Sequence, residues 1–515
     1  MNVCTGYYNI INPFIHVCCF LIRRVRQTLI AWSAVLSCSV RSYFPIHQLR
    51  SESDGIMTTT RDYESVIREA GEWGAWQWRM VVVMMTPAMV ASISTLSWVF
   101  TARSGGNHSS ILSDLDIVGD KIWIKSFLAP VFMLGMLVGA PIIGYLSDQH
   151  GRRPSLLLSL TLVTVSGALL PALPHSLPWH ACLRLMSGCG AGGTLVTTFV
   201  YLVEWPTADS AASCSMLRSW RLVSALALHI GWNIGQALLV MSSLFIYDWR
   251  HFIWTSQVVS VIAIISVIFM PESARWLTCH NKLEQARIII ERIAAVNKRE
   301  VSQDTLKELS PPNNAQETPT FAGLHLRLSI LCFLWFAANI CYYGIHYSAS
   351  QLHGNLQINF SLLMLAEVAA NMFAHLVALS YFGRRKTLIL CLTLSSVVLI
   401  LNTSIPHSLI NVRICLTIIG KFAATTNFNS IYFYTCELFP TCLRSRSIGV
   451  CSTVGRLGAM ISVGCVQLDW VSEYLPSLIM STPAVMAALL LFKIQQPETK
   501  NCSLPDNTQP EPPHL

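Results

Sequence analysis

Along the 515 residues, predominantly apolar runs of about 20 residues recur, each broken by a short polar or basic stretch. As a helix, a run of that length spans the ~30 Å hydrocarbon core of a bilayer. The runs fall roughly at 80–100, 123–146, 155–173, 179–203, 216–241, 251–270, 326–347, 358–381, 387–405, 410–435, 446–466 and 474–494. The pattern predicts an all-α polytopic membrane protein with twelve transmembrane helices.

Between the second and third runs stands GYLSDQHGRRP, Gly144 to Pro154, too short and too basic to be anything but a tight turn at a membrane face. Arg152 and Arg153 mark that face as cytoplasmic, because Lys and Arg are retained there in short loops. Gly144 and Gly151 let two helices approach and turn, Asp148 can pair with an arginine or cap a helix, and the arginines can bind helix C-terminal carbonyls. A second copy, YFGRRKTL at Tyr381–Leu388, follows 232 residues later between two more apolar runs, with Gly383, Arg384 and Arg385 in register. Two such turns predict two homologous six-helix halves.

The expected organisation is an N-terminal extension over 1–56, six-helix halves over 57–270 and 326–496, a cytosolic linker over 271–325 and a cytosolic tail over 497–515. Within the linker, KLEQARIIIERIAAV places apolar residues at helical spacing, which predicts an interfacial helix with a structural role. Residues 1–56 fit neither a signal peptide nor a clean span, and Met57 is expected to be a natural start. Three Asn-X-Ser/Thr sequons lie at outer ends of spans, and Asn107 alone stands well clear of one, which makes it the glycosylation candidate.

Composition agrees: 53% hydrophobic residues, 12% charged and a mean hydropathy of +0.49 exclude a soluble globular protein, in which about a quarter of residues are charged. The net charge of +8 is scattered over inter-span loops, which favours positive-inside topology and disfavours a nucleic-acid partner. Seventeen cysteines lie mostly in apolar spans without a paired framework, so they read as buried thiols. No phosphate-cradling loop, metal-ligand cluster or nucleophile triad is present, so no cofactor, no metal and no enzymatic chemistry are expected.

The G-x-L-x-D-x-x-G-R-R turn resembles the loop signature of the major facilitator superfamily of secondary transporters. PESARWL at Pro271–Leu277, WFAANICYYG at Trp335–Gly344, GKFAATTNFNSIYFYTCELFPTCLRS at Gly420–Ser445 and CSTVGRLGAMIS at Cys451–Ser462 further resemble solute carrier family 22, the organic cation, anion and carnitine transporters. The likeness covers about residues 57–505 and implies a major facilitator fold, alternating access about a midplane site, and a plasma-membrane location with both termini cytosolic. The chain departs from the family pattern in a short, cysteine-free segment 101–122, and in Ala211, Ser380, Ala369 and Val463, where that pattern has other residues.

Ionisable residues inside spans are expensive and mark function or a partner. Glu367, Arg456 and Arg184 stand out. The resemblance places Glu367 where cation carriers hold a substrate-binding acid, and Arg456 where anion and carnitine carriers hold an arginine. Together they imply a carrier of small organic cations or zwitterions such as carnitine-like compounds; alternatively, the two pair only with each other to fix helix packing. Trp335, Tyr342, Phe428, Tyr432 and Trp232 match cavity-lining positions and suit ammonium groups through cation–π attraction, and His229 falls one turn before Trp232. A gating network is expected from Gly144, Asp148, Gly151, Arg152, Arg153, Arg184, Glu204, Gly383, Arg384, Arg385, Glu437 and Arg444. Loss of partners at Ala211 and Ser380 is expected to bias the protein inward-open. An organic anion carrier, and a non-transporting scaffold or receptor on the same fold, are the alternatives; the expected partners are a small organic ion and the lipid bilayer, and no oligomeric state follows.

Overall fold

The computed structural model describes residues 63–71, 74–102, 109–117, 121, 123–172, 176–204, 220–302, 305–306, 309, 324–348, 352, 354–374, 383–406, 409–439, 441–466, 468, 472 and 474–493, with main chain only at 64–65, 203, 220–225, 403, 436 and 441–446. The expectations for 1–56, Asn107, Ala211, Ser380, the tail at 497–515 and the side chain of Arg444 fall outside them.

Among the described residues stand twelve long helices. They are α1 Ala75–Thr101, α2 Trp123–His150, α3 Arg152–Leu169, α4 Leu177–Val203, α5 Trp220–Phe245, α6 Trp249–Ile268, α7 His325–Tyr347, α8 Leu356–Phe373, α9 Arg384–Ser404, α10 Ile410–Leu438, α11 Thr441–Val466 and α12 Leu475–Lys493. Each overlies one of the twelve apolar runs, and nine of them are long and apolar enough to cross a membrane by length and composition. Their outward faces carry large apolar side chains such as Phe127, Phe245 and Phe492, the surface that lipid covers.

Helix packing repeats with a shift of six. In the first half α1 packs on α4, α5 and α6, α3 on α4 and α6, and α2 on α4; in the second, α7 packs on α10, α11 and α12, α9 on α10 and α12, and α8 on α10. The principal contacts between halves are α2 with α11 and α5 with α8, pairs that the same shift exchanges. This is the two-half major facilitator fold.

The helix between Leu283 and Asn297 buries Ala286, Ile290, Ile293 and Ala294 against the bundle. Helix Tyr63–Ala70 and the start of α1 cover that face. Asn297 fixes the contact: its Oδ1 accepts the main-chain N–H of Trp76 at 3.0 Å, and its Nδ2 donates to the carbonyls of Ala70 at 3.2 Å and Gly71 at 3.1 Å.

Candidate functional site

The two GRR turns have the same geometry. Gly151 and Gly383 cap α3 and α9 with φ of +111° and +88°, a region that side chains rarely adopt, so glycine is required at both. The first arginine of each turn pairs with the glutamate at the end of the fourth helix of its half. Arg152 donates from Nε and Nη2 to Glu204 Oε1 at 3.0 and 2.6 Å and from Nη1 to Asp148 at 2.5 Å; Arg384 donates from Nε and Nη2 to Glu437 Oε1 at 3.1 and 2.8 Å. The second arginine binds a carbonyl near the end of the sixth helix: Arg153 that of Ile268 and Arg385 that of Leu491, the latter at 2.9 Å. Glu272, part of the PESARWL motif but not singled out in the sequence, accepts the main-chain N–H groups of Arg152 at 2.9 Å and Arg153 at 3.2 Å and so caps α3.

Arg184 does not join this network. It lies in the first third of α4, at the opposite end of the bundle, buried with its guanidinium 4.2 Å above the Trp98 ring and 5.8 Å from that of Phe132. That end is also where the halves meet: the Tyr347 hydroxyl donates to the Thr95 carbonyl, Phe100 packs edge-on to Phe360 at 5.0 Å, and Gly464 abuts Pro130.

Halfway along the bundle Glu367, on α8, is 1% exposed and engaged on both oxygens. Oε1 accepts the Tyr342 hydroxyl at 2.8 Å and, from across the seam, Gln236 Nε2 at 3.2 Å. Oε2 stands 2.9 Å from Lys421 Nζ on α10 and 3.5 Å from His346 Nδ1. Lys421 is fully buried and its ammonium sits 3.6 Å over the Tyr342 ring. Glu367 therefore has a buried cationic partner, and it is Lys421 rather than Arg456. The sequence signal for it, a lysine inside an apolar run, is the same one that singles out Glu367.

Arg456 points instead from α11 toward the other half, with Nη1 3.7 Å from Met136 Sδ on α2 and the Tyr343 hydroxyl beside it. Among the described residues it has no carboxylate partner.

Four of the five aromatics come together. Tyr342 stacks on Phe428 at 4.8 Å, Phe428 meets Tyr432 at 5.4 Å, and Tyr432 meets Trp335 at 4.3 Å, with Phe199 of the first half 6.4 Å from Tyr432. Trp335 is held by Nε1 donating to Thr435 at 3.0 Å. The ladder follows α10 from Lys421 toward the GRR end over eleven residues, about 16 Å of helix. Trp232 is buried on α5 and neighbours the Tyr342 hydroxyl, while His229 is half-buried one turn away and its carbonyl accepts Asn233 Nδ2 at 2.7 Å.

Residues 88–507 match the model of the family described as "Sugar (and other) transporter". The chain is 28% identical over 422 residues to solute carrier family 22 member 6-A of Xenopus laevis, covering 78% of this chain and 72% of that one. It is also 28% identical over 408 residues to the human organic cation/carnitine transporter 2 (77% and 71% covered) and 28% identical over 428 residues to organic anion transporter 3 of Rattus norvegicus (80% and 76%). These relatives bear out the likeness read from the motifs. Among solved structures, the xylose transporter XylE of E. coli in a partially occluded inward-open conformation superposes with a TM-score of 0.62 at 15% identity, covering 84% of this chain and 100% of that one. A human organic anion transporter superposes with a TM-score of 0.56 at 17% identity, covering 81% and 99%.

Proposed function

The chain belongs to the sugar (and other) transporter family and is a multi-pass membrane transporter, and we propose that its cargo is a small organic ion bearing a carboxylate, best met by a carnitine-like zwitterion. The observation that carries this reading is the charge balance at the centre of the bundle. Lys421 neutralises Glu367 at 2.9 Å, whereas Arg456, on the seam between the halves, has no carboxylate partner among the described residues. A guanidinium so placed matches a carboxylate through charge-assisted, bidentate hydrogen bonds. A quaternary ammonium on the same substrate would meet the Tyr342 ring where Lys421 now lies 3.6 Å over it, worth ~0.5–2 kcal/mol. It would reach Glu367 by displacing Lys421.

Transport would proceed by alternating access. The contacts Thr95–Tyr347, Phe100–Phe360 and Pro130–Gly464 would part at the end opposite the GRR turns, and the two symmetric arginine–glutamate pairs would keep each half rigid as it rocks. Plasma membrane and a cytosolic GRR face complete the proposal.

The same charge balance favours a second reading, an organic anion carrier, since Glu367 with Lys421 and Arg456 leave one net positive charge. The test is uptake of labelled carnitine, tetraethylammonium and a small aromatic anion in cells expressing the full chain, with and without Arg456→Ala. Saturable carnitine uptake that Arg456→Ala lowers by roughly tenfold or more, the worth of a charged hydrogen bond, is expected. Uptake of the aromatic anion without carnitine establishes the second reading. No tracer uptake with the protein at the surface returns the fold to a scaffold or receptor role.

A further inference from the structure

We infer that Cys332 and Cys451 form a dithiol site that hydrogen peroxide closes into a disulfide between α7 and α11. Their sulfur atoms stand 3.7 Å apart, and among the described residues they are the cysteine pair whose sulfurs touch. A disulfide needs about 2.05 Å, so each sulfur has to move by only about 0.8 Å, within the reach of a small side-chain rotation.

The backbones allow it. A Cβ added to Gly458 would fall 2.4 Å from the Phe336 carbonyl oxygen, and one added to Gly455 would fall 2.5 Å from Asn339 Nδ2. Gly455 and Gly458 lie about one and two turns beyond Cys451 on α11, as Phe336 and Asn339 do beyond Cys332 on α7. The two helices run side by side at the short separation that small residues permit, close enough for the two sulfurs to stand 3.7 Å apart.

The two thiols also differ in access. Cys332 is half-buried and Cys451 is buried. Peroxide is small and neutral, and it reaches Cys332 first. The Cys332 thiolate attacks one peroxide oxygen, the O–O bond breaks, and a sulfenic acid and one water form. The Cys451 thiol then attacks the sulfenic sulfur, the S–O bond breaks, the S–S bond forms, and a second water leaves. Two electrons pass from the two sulfurs to the peroxide, and both thiol protons end in water.

The link fastens α7 to α11 one turn from Trp335, the end of the aromatic ladder, and stays within one half of the molecule. It constrains the unfolded chain across 118 intervening residues, so the oxidised protein melts at a higher temperature.

The test uses the full chain in intact cells and reads covalent connectivity, not transport, so it is independent of the proposed cargo. Cells are treated with hydrogen peroxide, the protein is denatured in detergent with N-ethylmaleimide to cap every remaining thiol, and it is digested without reductant for mass spectrometry. A linked peptide pair containing Cys332 and Cys451 is expected, released by dithiothreitol and absent from Cys332→Ser. Recovery of both cysteines as maleimide adducts, or of Cys332 as a sulfinic acid with Cys451 alkylated, overturns the inference. The wild-type digest alone decides between these outcomes, so a variant that fails to fold leaves the test intact.

Discussion

The ammonium of Lys421 stands 2.9 Å from Oε2 of Glu367, with the two side chains 0% and 1% exposed and carried on packed neighbours, α10 and α8. Neither charge has access to water, so each depends on the other. Taking the pair out of water costs more than their attraction alone returns, and the Tyr342 hydroxyl and the Gln236 amide supply the missing hydrogen bonds. A pair of this kind is sensitive to the loss of one member and tolerant of the loss of both.

Glu367→Gln, which keeps the shape but leaves Lys421 buried and uncompensated, is expected to lower stability by about 3–5 kcal/mol. Glu367→Gln with Lys421→Met should recover most of that loss, giving a coupling energy of more than about 1 kcal/mol. Melting of the detergent-solubilised variants, followed by size-exclusion fluorescence, reads both numbers. Equal losses in the single and double variants would mean that the carboxylate acts through something other than the lysine.

Close packing of α2 on α4 rests on glycine. A Cβ on Gly139 would lie 2.3 Å from the Cα and carbonyl oxygen of Cys189, backbone that has no room to yield, whereas one on Gly449 would meet nothing within 4 Å. Gly139→Leu is therefore expected to cost at least about 1–3 kcal/mol and to deplete folded protein at the surface. Gly449→Ala should be neutral or stabilise its helix by up to about 1 kcal/mol. Folded yields of the two variants in the same cells make the comparison, and equal yields would contradict the packing argument.

Lys421 also marks the limit of what the sequence carries. The twelve helices were legible because a bilayer demands about 20 apolar residues per crossing, and hydropathy reports that solvent directly. It reports helix ends less well: α1 begins at Ala75 and α10 runs to Leu438, both beyond their apolar runs, because a helix can continue past the hydrocarbon. The symmetric GRR turns were legible because Gly-Arg-Arg recurs at one register. The partner of Glu367 was not. Spacing along a helix fixes which residues share its face but says nothing of which neighbouring helix faces it, so the sequence pointed to Arg456 and passed over Lys421 within the run 410–435. Glu272 escaped for the same reason, since it caps a helix that begins 120 residues earlier in the chain.

Arg152–Glu204 and Arg384–Glu437 are equivalent pairs in separate halves, and their side chains are 10–21% exposed. Glu204→Gln and Glu437→Gln should each cost about 1 kcal/mol by turning the charge-assisted hydrogen bonds to the arginine into weaker ones to a neutral amide. No described residue is shared between the two sites, so the double variant is expected to lose the sum of the two within about 0.5 kcal/mol. Melting of the three variants measures it, and strong non-additivity would show that the halves are coupled through these ends.

Asp248 carries a pH dependence at the opposite end. Its carboxylate accepts the Ser109 hydroxyl at 2.7 Å and the Arg250 main-chain N–H at 3.1 Å, capping α6, and lies 2.9 Å from His251 Nδ1. Burial works to raise its pKa, but the hydrogen bonds from Ser109, Arg250 and His251 outweigh it and hold the group below the ordinary carboxylate value. A lowered native pKa means that the stabilisation is complete above the unfolded value of about 3.9 and is lost as pH falls through the lower native one. Asparagine still caps a helix but carries no charge. Asp248→Asn should therefore be less stable than the parent by up to about 1 kcal/mol at neutral pH, and that gap should narrow below about pH 4. Melting curves of the two proteins across this range decide it, and a gap that stays constant with pH would assign the role to shape rather than charge.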